Sequence, residues 1–228
     1  MLAPMRSELK AVVRAGRLAR TSGEQLFSHE GTVGAWTVSA AVIGMGPSGA
    51  RVATERILAA GPFEHVMLVG IAGGLDPALP VGALIVPNQV RLYPDGPVYC
   101  AHPLPSRQAE GGLMTTDGLL SAEDVWRAIL GSGFGAVDME AAGVAEACEG
   151  AGVDWSVYRG ISDRPDENIV DQAVFALSKA DGQPDLLAVV RYLVRDPRRL
   201  RSLLYLGRSL GRATGVAAAA AVADLARN

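Results

Sequence analysis

Short apolar runs alternate with stretches of helical periodicity through the first two thirds of the chain. Trp36–Ile43, His65–Ile71, Ala83–Pro87, Gly135–Met139 and Trp155–Ile161 are short, mostly apolar and bounded by glycine, proline or acidic residues. Runs of that kind read as strands, and those without polar alternation as strands covered on both faces. Helices are predicted between them. Ser48, after the turn Gly44-Met45-Gly46-Pro47, caps a helix to about Ala60, and a second helix follows Met139 to about Ala151. Ala72-Gly73-Gly74 reads as a turn closing the second strand. Strands and helices mixed in this order predict an α/β fold: a single domain with a central mixed β-sheet flanked by helices.

The last third follows a different pattern. Leu186, Leu187, Val190, Leu193 and Val194 recur at helical spacing, Pro197 interrupts, and Leu200, Leu203, Leu204 and Leu206 resume. Residues 183–228 are therefore expected to form a helical C-terminal extension of one domain spanning 1–228. The apolar run Gly215–Ala223 is alanine-dominated and too short to span a bilayer.

Composition narrows the function classes. With 49% hydrophobic and 20% charged residues in 228, the chain can bury a core. A net charge of -3 gives no general attraction for nucleic acid, so no nucleic-acid partner is expected. Positive charge is local: between Pro184 and about Arg212, Arg191, Arg195, Arg198, Arg199, Arg201, Arg208 and Arg212 face only Asp185 and Asp196. Two readings follow, helices packed on the sheet with a solvated arginine face, or peripheral contact with an anionic membrane surface. Packing on the sheet is the better supported, because an apolar stripe normally faces a core. Cys100 and Cys148 make no disulfide framework, and Met1–Arg6 has no apolar signal region, so a cytoplasmic protein is expected. His29, His65 and His102 are isolated, and Cys100 with His102 falls short of a zinc ligand set; no metal is expected.

Three constellations can carry chemistry. Gly70-Ile71-Ala72-Gly73-Gly74-Leu75 closes a strand with small residues that let a ligand approach the backbone, or is simply a turn. Val137-Asp138-Met139-Glu140 puts two carboxylates where a strand passes into a helix, for catalysis or for capping. Arg159-Gly160-Ile161-Ser162-Asp163 ends another strand with a residue pair that serves as an acid or as a turn former.

In this order, and with Val81-Gly82-Ala83-Leu84-Ile85-Val86 between them, these motifs resemble the nucleoside phosphorylase/nucleosidase superfamily, in its methylthioadenosine/adenosylhomocysteine nucleosidase-like branch. The resemblance covers about residues 3 to 165. It implies cleavage of a purine nucleoside's N-glycosidic bond. Asp163 would be the general acid toward the base, supported by Ser162 and Arg159. Glu140 would hold the ribose hydroxyls beside Asp138, with Met139 against the sugar, and Glu8 would position the attacking water. Ile71, Ala72 and Gly73 would line the site, and Leu119 and Leu120, after Thr116-Asp117-Gly118, would flank the base. No cofactor is implied, and phosphate enters only as a co-substrate.

Several positions depart from the family pattern. Leu68 and Ile71 stand where phosphate users carry an arginine and often a serine, which points to water as nucleophile; Gly46, Arg51 or a neighbouring subunit's arginine are the alternative phosphate ligands. The base loop has no aromatic residue to stack on adenine. Only Met1–Pro4 is available for the family's first strand. The tail that follows Asp181-Gly182-Gln183-Pro184 is similar to that of hopanoid-associated phosphorylases, whose nucleoside carries a lipid at its 5′ side. The partner expected is a small-molecule nucleoside, with assembly as a homodimer. Phosphorolysis of a 5′-substituted adenosine and non-catalytic nucleoside binding are the two rivals.

Overall fold

The computed structural model describes residues 1–22, 26–118, 133–164 and 199–228, with side chains of the last stretch from Leu204 onward. In chain order the elements are β1 (Leu2–Ala3), α1 (Arg6–Gly16), β2 (Ala19–Arg20), β3 (His29–Val33), β4 (Trp36–Val42), α2 (Pro47–Leu58), β5 (His65–Gly74), β6 (Leu84–Ile85), β7 (Gln89–Leu92), β8 (Val98–Cys100), β9 (Gly112–Thr115), β10 (Phe134–Asp138), α3 (Ala141–Ala151), β11 (Asp154–Asp163) and α4 (Arg199–Arg227).

The sheet is mixed, as its sequence pattern implied. Its path runs β2-β3-β4-β1-β5-β10-β9-β7-β8, with β11 alongside β5 and β6 on β11. β5 is the axis. β11 pairs with it in parallel from Asp154↔His65 to Asp163↔Gly73. On its other edge, β1 pairs in parallel at Leu2↔Leu68, and β10 pairs antiparallel at Gly73 and Gly74. Successive residues of β5 point to opposite faces. Val66 and Leu68 join the cluster that α2 and α3 cover with Ile57, Val144 and Cys148. Met67 and Val69 join the cluster that α1 and α4 cover with Leu9, Val12, Ala217, Ala218 and Leu225.

Three boundaries differ from the sequence reading. β5 does not turn after Ile71 but stays extended through Gly74, because β10 and β11 supply partners there on both edges. Ala83–Pro87 contracts to the two residues of β6. α2 begins two residues earlier than a Ser48 cap implies: Gly46, at φ 88°, is the N-cap and Pro47 takes the first turn, where its missing N–H costs nothing. α4 runs from Arg199 through the alanine run, within the expected helical extension, and Ala217, Ala218 and Ala221 are buried. The pattern at Leu186–Pro197 lies outside the described residues.

Close approach of α2 and α3 depends on a missing side chain. A Cβ at Gly143 would lie 2.0 Å from the Pro47 carbonyl oxygen, whereas one at Gly150, later in α3, meets open space. Gly143→Ala is therefore expected to cost about 1–3 kcal/mol or more, as overpacking against backbone does. Gly150→Ala, which only restricts the unfolded chain, should gain about 0.5–1 kcal/mol. Urea unfolding of the two variants checks the pair, and a stable Gly143→Ala would show that the helices can separate.

Candidate active site

Four ionisable side chains meet under the carboxyl end of β5. Arg159 projects from β11 and is fully buried. A guanidinium in that position keeps its charge and must be matched by carboxylates. Its Nε and Nη2 donate to Asp138 Oδ2 at 3.1 and 2.5 Å, and Nη2 also donates to Glu140 Oε2 at 3.0 Å. Nη1 lies 4.0 Å from Glu8 Oε1 and has no hydrogen-bond partner.

Each acid is held from a different element. Asp138 ends β10, accepts Thr115 Oγ1 at 2.7 Å and receives the Ala141 N–H that opens α3. The capping reading of this aspartate is thus correct, and the same carboxylate also binds Arg159. Glu140 turns away from its own helix; its Oε1 accepts the Gly46 N–H at 3.3 Å, at the start of α2. Glu8 sits in the first turn of α1 and closes a capping box on Met5, whose N–H donates to Glu8 Oε2 at 2.8 Å. Glu8 Oε1 accepts the Ile71 N–H at 2.9 Å. That amide falls between the β1 and β10 pairings on β5, so Glu8 fills a gap in the strand edge.

The approach of Glu8 and Arg159 requires a glycine beneath them. A Cβ on Gly70 would stand 2.3 Å from Arg159 Nη1 and 2.4 Å from Glu8 Oε1. Burial dominates the electrostatics. It raises the Glu8 carboxyl to about 7, against the lowering effect of Arg159 and of the Ile71 and Met5 N–H groups. Burial also raises Glu140, again opposed by Arg159 and assisted by the neighbouring Asp138 and Glu8 charges.

Asp163 lies beside this cluster, partly exposed at the last register of β11. A register shift between Ile161 and Asp163 re-aims the strand there, and the Asp163 carboxyl comes to stand over Gly73. Ser162 Oγ donates to the Ala72 carbonyl oxygen at 3.2 Å and is also hydrogen-bonded to Asp163 Oδ1. Ile71, Gly73 and Met139 are partly exposed around these groups, and Ala72 is buried beneath them.

The fold therefore gathers Glu8, Ile71, Ala72, Gly73, Asp138, Met139, Glu140, Arg159, Ser162 and Asp163. Leu119 and Leu120 lie outside the described residues. One assignment changes: Arg159, expected beside Asp163, is bonded to Asp138 and Glu140, because a buried cation goes to the buried acids on its own face. Thr115 and the Gly46 N–H were not anticipated; both act across long sequence separations, and no local pattern marks them. Among the described residues no cluster of His, Cys, Asp and Glu is suited to a metal. No described helix is long and apolar enough to cross a membrane. A cavity of about 60 Å³ lined by Met1, Phe27, Trp36, Phe63 and His65 lies at the opposite, amino ends of β4 and β5, away from the acid cluster.

Comparison with known proteins bears on the family and the fold. A sequence profile described as the Phosphorylase superfamily matches residues 2–194. A search of curated sequences gives no match. The fold is similar to 5′-methylthioadenosine/S-adenosyl homocysteine nucleosidase of Helicobacter pylori, with TM-score 0.74 and 17% identity over 100% of this chain and 97% of that one. It is similar to futalosine hydrolase of the same organism, with TM-score 0.72 and 17% identity over 99% and 95%. The nucleosidase of Neisseria meningitidis gives TM-score 0.71 and 19% identity over 100% and 97%. At these identities the structural likeness is one of fold; the profile match, which spans most of the sequence, shows that the chain belongs to the phosphorylase superfamily.

Proposed function

We propose that this protein hydrolyses the N-glycosidic bond of a purine nucleoside, an adenosine-like compound substituted at its 5′ position. The observation that carries the reading is the pair Glu8 and Arg159. A buried donor without a partner, Arg159 Nη1, stands 4.0 Å from a carboxylate oxygen that is itself buried. A separation of that size between two polar groups suits one bridging water. Glu8 then takes the proton as that water's oxygen bonds to C1′.

The bond that breaks is C1′–N9, and its electrons go to the base. Asp163 supplies a proton to N7, so the base leaves neutral. The partial exposure of the Asp163 carboxyl beside Gly73, with the Ser162 hydroxyl donating to it, supports this role. Glu140 receives the ribose hydroxyls, and in its ionised form its negative field favours positive charge developing on the sugar. Met139 packs against the sugar. Resemblance to hydrolases of methylthioadenosine and futalosine type supports this class of substrate.

Phosphorolysis is less well supported. Leu68, at the position where phosphate users carry an arginine, is buried in the core. Arg51 is engaged by Glu55 at 2.5 Å and Glu146 at 3.9 Å. Base release from a panel of adenosine, inosine, 5′-methylthioadenosine and S-adenosylhomocysteine, followed by chromatography, is expected to proceed equally with and without phosphate and to yield the free sugar. Formation of a sugar 1-phosphate would replace hydrolysis with phosphorolysis.

Two substitutions test the roles. Asp163→Asn should lower kcat by about 100- to 10,000-fold, the range of a lost general acid; near-complete retention of activity would remove Asp163 from that role. Glu8 works as a base only when ionised, and its carboxyl titrates at about 7. kcat/KM is therefore expected to rise as pH increases through about 7, and this acidic limb should be absent from Glu8→Gln. The same limb in Glu8→Gln would assign it to another group.

A further inference from the structure

Asp224 is a buried carboxylate that the proposed chemistry does not use. It lies near the end of α4 and is fully excluded from solvent. Arg107, in the loop between β8 and β9, grips it with Nε and Nη2 at 2.7 and 3.0 Å. The Tyr158 hydroxyl donates to it at 3.0 Å from β11. Arg227 Nη1 stands 3.6 Å from its other oxygen. Burying a carboxylate this completely is costly unless its partners stay in place, so the cluster fixes the elements that carry them.

One of those elements, β11, carries Arg159, and another, α4, packs on the helix that carries Glu8. Tyr158 and Arg159 are consecutive on β11 and point to opposite faces, so anchoring the tyrosine ring fixes the backbone from which the arginine projects. α4 then runs back along the sheet, where the Ala213 carbonyl oxygen would be 2.1 Å from a Cβ on Gly160. It also packs on α1, the helix that presents Glu8, through Ala217, Ala218, Leu9 and Val12. Glu8 and Arg159 come from separate elements, and α4 packs against both of those elements, as β5 does.

We propose that Asp224, gripped by Arg107 and Tyr158, is a positioning residue: this latch seats α4 against α1 and β11 and thereby sets the spacing of Glu8 and Arg159. The inference rests on the reading of those two residues as the water-binding end of the site, but its geometry is measurable without substrate. Glu8 accepts the Met5 and Ile71 N–H groups, so exchange of those two amides reports whether it is seated.

Amide hydrogen exchange of the full chain, wild type against Tyr158→Phe and Arg107→Met, provides the test. In both variants the Met5 and Ile71 amides are expected to exchange about tenfold faster, while Val144 in α3, on the opposite face, stays within about twofold. With a nucleoside that the wild type cleaves, kcat should fall about tenfold and KM stay within about twofold, the signature of lost positioning rather than lost binding. Unchanged Met5 and Ile71 protection, or a uniform rise at every amide, would overturn the proposal. Tyr158→Phe removes a single hydroxyl, so it reads out even if Arg107→Met fails to fold. Faster local exchange without any effect on kcat would confirm the latch and instead reject Glu8 as the water-positioning group.

Discussion

A single buried guanidinium organises this protein. Arg159 has no solvent to carry its charge, so carboxylates must come to it. They arrive from α1, from the end of β10 and from the turn into α3. Each is pinned in turn: Asp138 by Thr115, Glu140 by the Gly46 amide, Glu8 by the Met5 and Ile71 amides. A change to any of these contacts would be felt at the arginine, because a buried charge that loses a partner is expensive. Packing around the sheet is thus subordinate to an electrostatic requirement at its centre.

That requirement also explains the division of labour among the acids. Three carboxyls face one cation, so they cannot all ionise freely, and burial resolves the competition unequally. Glu8 and Glu140 are raised, while Asp138 is held by two guanidinium bonds, a hydroxyl and a backbone N–H. A carboxyl that titrates at about 7 beside a buried ion pair is what the proposed acid–base chemistry would use. Asp163 is hydrogen-bonded to Ser162 and partly exposed.

Much of this was legible in the sequence, and the exceptions have physical causes. Apolar runs marked β4, β5, β10 and β11 because strands covered on both faces need them. Asp138, Glu140 and Asp163 stood out as acids at strand ends. The full extent of β5 was hidden because glycines signal turns locally, and only the pairing of β10 and β11 keeps Gly73 and Gly74 extended. The partners of Arg159 were hidden for a similar reason. Its acids lie 19, 21 and 151 positions away in sequence, and a buried ion pair has no periodicity to read. Short edge strands such as β2 and β8 carry too few residues to show alternation at all.

The extended course of β5 makes that strand a ruler. Glu8 is bonded to the peptide unit of Ile71, and Asp163 is in register with Gly73. The two ends of the site are therefore set apart by two residues of one strand, about 7 Å at the usual rise. Spacing measured in peptide units cannot be adjusted gradually. Inserting or deleting one residue between Ile71 and Gly73 would move one end by about 3.3 Å and turn its neighbours to the opposite face. The two ends keep their separation only while this segment of strand keeps a fixed count of residues.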